Sequence, residues 1–180
     1  MIKRRPSRFK RSTSGMAMTR VTAPARPVVV SARGLSRAVG PTEEMLQPVA
    51  ALAEFMATLP ATACPAVFAS RGITIIENFA PYVFVGDRAV ARWERGFRLH
   101  VSRGKLTSLK VAFGRPQDFG AGGRRAFFVL PTIWTGRAAG VRFEERGAWS
   151  VVLIRAGGAW RILGYGWGVT SLRVRPARRA

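Results

Sequence analysis

Carboxylates that could move a proton are scarce in this chain, which has nine Asp and Glu against thirty Lys and Arg. Glu77 is the strongest candidate, because it follows the β-branched residues 73–76, which predict a strand, and precedes the turn at Phe79-Ala80-Pro81. If Glu77 faces an apolar cavity, burial will raise its pKa toward the range of a working general acid or base. A pairing with an arginine at the sheet edge, which would only fix the turn, explains this residue equally well.

Two further titratable residues could assist such chemistry. Glu145 shares the odd register of a predicted strand with Phe143 and Trp149, although a salt bridge at the strand edge would also account for it. His100 is the single histidine and lies near the end of a predicted helix, where the helix dipole favours a positive charge. No partner for a catalytic dyad is evident in the sequence, so we expect His100 to be structural.

The sequence gives little support for a metal site or for a catalytic nucleophile. One histidine and one cysteine cannot form a ligand cluster, so we expect neither a metal nor a cofactor. The Gly-x-Ser-x-Gly motif of serine hydrolases is absent. The glycines of residues 120–123 are not followed by Lys-Ser or Lys-Thr, and they predict a hairpin turn instead of a phosphate-binding loop.

Aromatic residues are the natural wall of a pocket for an apolar ligand. Five tryptophans are present, and such residues are more often core than ligand contacts. We expect about two of them to touch a cavity, namely Trp93 and Trp134. The side chains predicted to contact a ligand are Asn78, Phe79, Tyr82, Trp93, Phe97, Trp134 and Glu145.

Helices should position one side of this site. A first helix is predicted from a Thr42 cap, with its stable part beyond Pro48 and ending near Pro60. A short helix is predicted over residues 61–69. A third should be capped by Asp87 and bury an aromatic face of Val90, Trp93, Phe97 and Val101.

Strands should position the other side. A short hairpin over residues 73–85 precedes the third helix, and alternation begins after Gly104. Four long antiparallel strands follow in a meander, the last three over residues 125–135, 141–155 and 160–167, with a bend at Gly147. The pattern predicts an α+β domain in which a curved sheet wraps around helices.

Charge divides the chain into three parts. Residues 1–40 form a predicted disordered basic tail, residues 41–170 the domain, and residues 171–180 a second basic tail; residues 1–42 hold ten basic residues and no acid. The first tail is interpreted as a solvated extension, with Met16 or Met18 as an alternative start, as an arm for nucleic acid, or as a transit peptide.

Location follows from two features of the sequence. A single cysteine fits a reducing compartment, and no apolar run reaches the length of a membrane span. The basic start has no apolar stretch long enough for a secretory signal. We therefore expect a cytoplasmic protein with no contact to a membrane.

Three stretches carry a resemblance to a known family: IENFAPYVFVGDRAVARW from Ile76, FEERGAWSVVLIR from Phe143 and GGAWRILGYGWG from Gly157. Residues 43–170 resemble the nuclear transport factor 2-like superfamily, in particular its SnoaL-like bacterial branch. The resemblance implies a cone-shaped half-barrel of the cystatin-like type, in which a curved antiparallel sheet wraps around N-terminal helices. It also implies a pocket at the mouth and a homodimer formed through the open sheet.

Members of that superfamily include steroid isomerases, polyketide cyclases, dehydratases, hydrolases and proteins without a known activity. By resemblance, the base of the isomerases falls at Asn78, and the two oxyanion donors fall near Phe55 and Val151, none of which can serve. Steroid isomerisation is therefore not expected.

The function predicted from the sequence is a cone domain that binds a hydrophobic small molecule. Isomerase, cyclase or hydrolase chemistry by Glu77 is one possibility, and binding without catalysis is another. The alternative is a non-catalytic ligand-binding or dimerisation module whose arginine-rich tails contact nucleic acid or an acidic partner.

Overall fold

Helices and strands of this protein are known from a computed structural model, which describes residues 40–175. The predicted tail of residues 1–40, apart from Gly40, and the end of the second tail lie outside the described residues. The elements are α1 Glu43–Thr58, β1 Thr74–Ile76, β2 Val83–Val85, α2 Ala89–Gly104, β3 Leu106–Phe113, β4 Gln117–Gly122, β5 Arg125–Ala138, β6 Val141–Ala156 and β7 Ala159–Arg175.

The strands form one curved, unclosed sheet in the order β2-β1-β7-β6-β5-β3, with β4 also paired to β5. Neighbours pair antiparallel except β1 and β7, which run parallel. The sheet is therefore mixed, whereas the sequence predicted an antiparallel one. The parallel pair arises because β1 precedes the meander and joins its last strand, which an analysis of consecutive strands does not anticipate.

Both helices lie on the concave face of the sheet, where α1 contacts β3 and β7, and α2 contacts β1, β2 and β3. Helix α1 buries Met45, Val49, Leu52 and Met56, which recur at three- and four-residue intervals on one face. Helix α2 buries Trp93 and Phe97 as predicted. Each such side chain contributes roughly 1.5–3 kcal/mol by leaving water, so this shared core holds the cone together.

Three local predictions about helices are wrong. Pro48 lies inside α1, which begins at Glu43; the ring sits on the buried face, and the helix gains enough from packing to tolerate one missing N–H. Asp87 does not cap α2, whose N-cap is Arg88. Residues 61–69 form turns and bends with a bridge from Phe68 to Ile162, because Pro65 and the sheet edge favour extended backbone.

Strand β7 is longer than predicted and carries two bulges. Its pairing to β6 shifts by one residue after Ile162 and again after Val169, leaving Leu163 and Thr170 as extra residues. The Thr170 hydroxyl donates to the carbonyl of Arg146 at 3.1 Å and fastens the second bulge. The second register shift lies at Gly147, where the sequence predicted a bend, and a Cβ at this position would collide with the Gly168 carbonyl.

At the end of the sheet formed by β3, β5, β6 and β7, the two faces carry different kinds of side chain. Directly paired residues point to the same face, and successive residues alternate. One face carries the paired residues Trp134, Glu145 and Leu172, and this is the concave face. The outer face carries the row Lys110, Thr135, Glu144 and Arg173 and the adjacent row Thr107, Arg137, Arg142 and Arg175.

No helix within residues 40–175 is both long enough and apolar enough to cross a bilayer.

Candidate functional site

A pocket opens in the concave side of the cone, between the ends of β1 and α2 and the middle of the sheet. Its cavity volume is about 70 Å³, below the roughly 300–1,000 Å³ of sites that enclose drug-sized ligands, so the pocket as it stands accommodates a small group or one end of a ligand. Its polar lining consists of Glu77, Asn78, His100 and Glu145. Its aromatic lining consists of Phe79, Phe97, Trp134, Phe143, Trp149 and Trp167.

Glu77 lies at the back of the pocket and is only 5% exposed. Its Oε1 accepts a 3.0 Å hydrogen bond from the indole nitrogen of Trp93 and a second, short one from the hydroxyl of Tyr165. Burial raises the pKa of Glu77 from 4.5 to about 7, against the opposing effect of these two donors. The carboxyl can therefore hold or release a proton near neutral pH, as an acid–base group must.

Local structure explains this placement. Strand β1 ends at Ile76, so Glu77 follows directly, while its parallel pairing sets Ile75 opposite Tyr165 on β7. Trp93 lies one turn into α2, on the face that packs against the strands. The pairing with an arginine that the sequence allowed for Glu77 is not formed within residues 40–175; neutral donors take its place.

Glu145 lies nearer the opening and is partly exposed. Its Oε1 accepts hydrogen bonds from the Trp167 indole nitrogen at 2.8 Å and from Asn78 Nδ2 at 3.2 Å. The salt bridge considered for Glu145 is absent from the described residues, where Arg146 pairs with Glu144 instead. Glu145 thus links β6 to β7 and to the turn after β1, and it keeps a carboxylate at the pocket mouth.

His100 also lines the pocket, a placement that its position near a helix end did not indicate. Its ring stacks on Phe79 with centroids 5.1 Å apart and an interplanar angle of 20°. Burial lowers the pKa of His100 below 6.5, and the charge of Glu145 opposes this shift more weakly. Burial therefore favours the neutral imidazole and opposes the positive charge that the helix end was expected to favour.

Most side chains predicted to contact a ligand meet in this pocket: Glu77, Asn78, Phe79, Phe97, Trp134 and Glu145. Two do not line it. Trp93 is fully buried behind the wall, where its indole holds Glu77. Tyr82 is 58% exposed in the turn between β1 and β2, where its backbone takes a left-handed conformation.

Local sequence patterns indicated neither the contact of Tyr165 with Glu77 nor the lining roles of His100, Trp149 and Trp167. Tyr165 and Trp167 alternate on β7, a usable signal, but the bulge at Leu163 sets which alternate residues face inward. Trp149 is completely buried and stacks on Tyr165 with centroids 5.2 Å apart. Phe55 and Val151, the positions matched to isomerase donors, are buried outside the pocket lining.

Neither a metal site nor a reactive cysteine is found within residues 40–175. No group of three or more His, Cys, Asp or Glu within residues 40–175 could hold a metal ion. Burial and the charge of Glu94 raise the pKa of the Cys64 thiol to about 12, so the thiol stays protonated and is a poor nucleophile.

Comparisons with known proteins rest on structure. No family model matches the chain, and no curated protein matches its sequence. A nuclear transport factor 2-like superfamily protein from Salmonella enterica superposes with a TM-score of 0.59 at 14% identity, covering 71% of this chain and 89% of that one.

Two solved structures of named enzyme types are also similar. A scytalone dehydratase-like protein from Novosphingobium aromaticivorans has a TM-score of 0.58 at 9% identity and covers 74% of this chain and 87% of its own. A hexachlorocyclohexane dehydrochlorinase from Novosphingobium barchaimii has a TM-score of 0.59 at 5% identity, covering 73% and 88%. At these identities the likeness concerns the fold, and the fold of this chain is the nuclear transport factor 2-like cone.

Proposed function

We propose that the cone binds a hydrophobic small molecule and transfers a proton on it, with Glu77 as the acid–base group. Isomerisation, cyclisation and hydrolysis all include such a step. The observation that supports this proposal best is the convergence of Glu77 and His100, one of raised and one of lowered pKa, on one aromatic pocket. Perturbed titratable groups in a concave apolar site are typical of acid–base catalysis.

The two groups suit different parts of such a reaction. Glu77 is held in position by Trp93 and Tyr165, so little reorganisation is needed when it gains or loses a proton. His100 is neutral and packs on Phe79 across the same pocket, where it can receive a proton from the other end of a ligand. The similar structures include proteins named as a dehydratase and a dehydrochlorinase, which supports proton chemistry in this fold.

A thermal-shift screen of the full chain with steroids, polyketide-like aromatics and fatty acids tests this proposal. A ligand that binds the native state raises the melting temperature. Turnover of a hit by the wild type and its loss in Glu77→Gln are expected, with Glu144→Gln on the outer face as the matched control. Binding by all three proteins without turnover would contradict the catalytic part and leave a carrier; loss of turnover in Glu144→Gln as well would remove the assignment to Glu77.

A second candidate function is binding of nucleic acid, and the outer face of the sheet supports it. At the end formed by β3, β5, β6 and β7, this face carries six cationic side chains and one carboxylate, Glu144. We name these cations the outer basic face: Lys110, Arg137, Arg142, Arg146, Arg173 and Arg175. The sequence predicted contacts to nucleic acid only through the tails, and this face extends that proposal into the folded domain.

Geometry makes the outer basic face an extended array. Arg137, Arg142 and Arg175 are direct cross-strand neighbours on three adjacent strands, which lie about 4.8 Å apart. Like charges in direct opposition destabilise a sheet, so a polyanion laid across this row would relieve their repulsion. Contacts to phosphates from such a row carry no sequence information, so sequence-independent binding is expected.

Salt-dependent binding of single-stranded RNA and DNA to the full chain tests this second function. Removing one cation that binds a phosphate should reduce the slope of log K against log salt by about one. Arg142→Ala and Arg175→Ala are expected to do so, while Arg95→Ala on the exposed side of α2 is the control for net charge. Equal slopes for all three variants would contradict a role for this face and leave the tails as the binding region.

Association through the sheet is the remaining proposal about partners. Ile76, Val83 and Val85 are each about half exposed on β1 and β2 and form one apolar strip. Burial of this strip against a second copy would give a homodimer. Sedimentation should then show twice the monomer mass, reduced to the monomer by Val83→Lys but not by Leu99→Lys on α2, and a monomeric wild type would contradict it.

A further inference from the structure

We infer that the pocket selects an organic cation, an amine or quaternary ammonium group on a compact apolar body. The inference rests on the proposed binding function of the same pocket and adds the charge of the ligand. It is drawn from three observations: the sign of the charges in the lining, the direction of the hydrogen bonds, and the aromatic walls.

Charge in the lining has one sign. Glu77 and Glu145 contribute two carboxyl groups, and no Lys or Arg of residues 40–175 lines the pocket. Such a lining is notable in a chain whose formal net charge is +21. An anionic ligand would meet Glu145, and Glu77 whenever it is ionised, without a compensating cation, whereas a cationic one would gain a partner that is partly removed from water.

Four side-chain donors of the site are already engaged. The indoles of Trp93 and Trp167, the amide of Asn78 and the hydroxyl of Tyr165 all donate to Glu77 or Glu145. The lining also contains His100, whose ring carries a further N–H donor. A carboxylate or phosphate could accept from His100 but would lie close to the carboxyl oxygens of Glu77 and Glu145, to which an ammonium group can donate.

Aromatic side chains form much of the remaining lining. Six rings line the pocket, and although Trp149 is fully buried against Trp134 and Tyr165, Trp134 and Trp167 each keep 8% exposure. The faces of such rings attract cations, most strongly the face of tryptophan, and this is how proteins recognise quaternary ammonium groups. Glu145 lies beside these rings at the accessible mouth, so the cationic head should rest near Glu145, with the apolar body toward Phe97 and Met56.

The test compares choline with 3,3-dimethylbutan-1-ol, which has the same shape and a carbon in place of the charged nitrogen. Calorimetric or NMR titration of the full chain should show choline binding at least about tenfold more tightly, because a desolvated cation gains both ring and carboxylate attraction. Equal affinities would overturn the inference while leaving the proposed hydrophobic pocket intact. Failure of choline to bind at millimolar concentration would overturn it as well.

Matched variants locate the effect. Glu145→Gln keeps an acceptor oxygen for Trp167 and Asn78 but removes the charge, and should reduce the preference for choline to about twofold or less. Glu144→Gln makes the same change on the adjacent residue, which faces outward, and should leave the preference unchanged. Equal losses in both variants would show a general charge effect and overturn the site. Choline binding without turnover of any substrate would leave this inference standing and contradict only the proposed catalysis.

Discussion

The two faces of the sheet end differ in charge although they share the same strands. On β6, Glu145 points into the aromatic pocket, while its neighbours Glu144 and Arg146 point outward and pair with each other. Among residues 40–175, no Lys or Arg lines the pocket on the inner face, whereas the outer basic face has six such side chains. The net charge of the chain therefore does not predict what binds to either face, because the alternation of side chains along each strand divides the charged residues between the two faces.

The largest effect is expected where the inner face carries stability. Trp149 is fully buried and packs on Tyr165 and Trp134, so Trp149→Ala should lower the free energy of unfolding by about 3–5 kcal/mol. Arg142→Ala on the outer face should change it by no more than about 0.5 kcal/mol. Urea denaturation measures both. Comparable losses would contradict the division between a packed face and a charged one.

A pH dependence sharpens the comparison on the inner face. Because the pKa of Glu77 is near 7 when folded and near 4.5 when unfolded, the native state binds more protons between these values. The free energy of unfolding should therefore fall by ~3 kcal/mol as pH rises from about 4.5 to about 8, and Glu77→Gln should remove this fall. Denaturation of both proteins across that range measures it; parallel curves would contradict the assigned pKa.

Removal of one donor should give a smaller change. Tyr165→Phe deletes the hydroxyl that donates to Glu77 and should lower the free energy of unfolding by about 1–3 kcal/mol. It should also raise the pKa of Glu77, because this donor favours the carboxylate form. Isotope-edited infrared or NMR titration of the Glu77 carboxyl would report the shift, and a lower pKa in this variant would count against it.

The smallest effect on stability is expected for a change at Glu144, the outward-facing neighbour of Glu145 on β6. Glu144 lies at the surface, and its hydrogen bond from Arg146, with help from Arg173 and Arg175, holds its pKa below the usual value. Surface pairs of this kind contribute little, so Glu144→Gln should change the melting temperature by less than about 3 °C. Thermal unfolding at low and high salt measures this. A larger decrease would indicate that Glu144 balances the outer basic face.

Much of the fold could be predicted from periodicity. The buried aromatic face of α2, the long strands after Gly104 and the position of Glu77 at a strand end all follow from local patterns. Glu77 at the end of β1 could be singled out because the chain has only nine acidic residues. Helix boundaries were predicted less accurately. Tertiary packing overrides local preference at Pro48, which lies inside α1, and at Asp87, which does not cap α2.

The rest of the site depends on pairings between distant residues. The hydrogen bond from Tyr165 to Glu77 requires the parallel pairing of β1 with β7, and the stacking of His100 on Phe79 requires α2 to pack beside the turn after β1. Neither pairing leaves a local sequence signal. The structural role expected for His100 stays a prediction, because its helix-end position carries no information about the cavity that it lines.

The bulge at Thr170 sets which face of the sheet each residue at the end of β7 occupies. The extra residue shifts the strand so that Leu172 lies on the same face as Glu145, and Arg173 and Arg175 lie on the outer face. If the bulge closed and Thr170 paired with Arg146, every residue after it would shift by one position, and alternation would move both arginines to the pocket side and Leu172 outward. Deletion of Thr170, in contrast, would remove the extra residue and keep the pairing of Ser171 with Arg146 and of Leu172 with Glu145, so it is the bulge that keeps the arginines away from the pocket mouth.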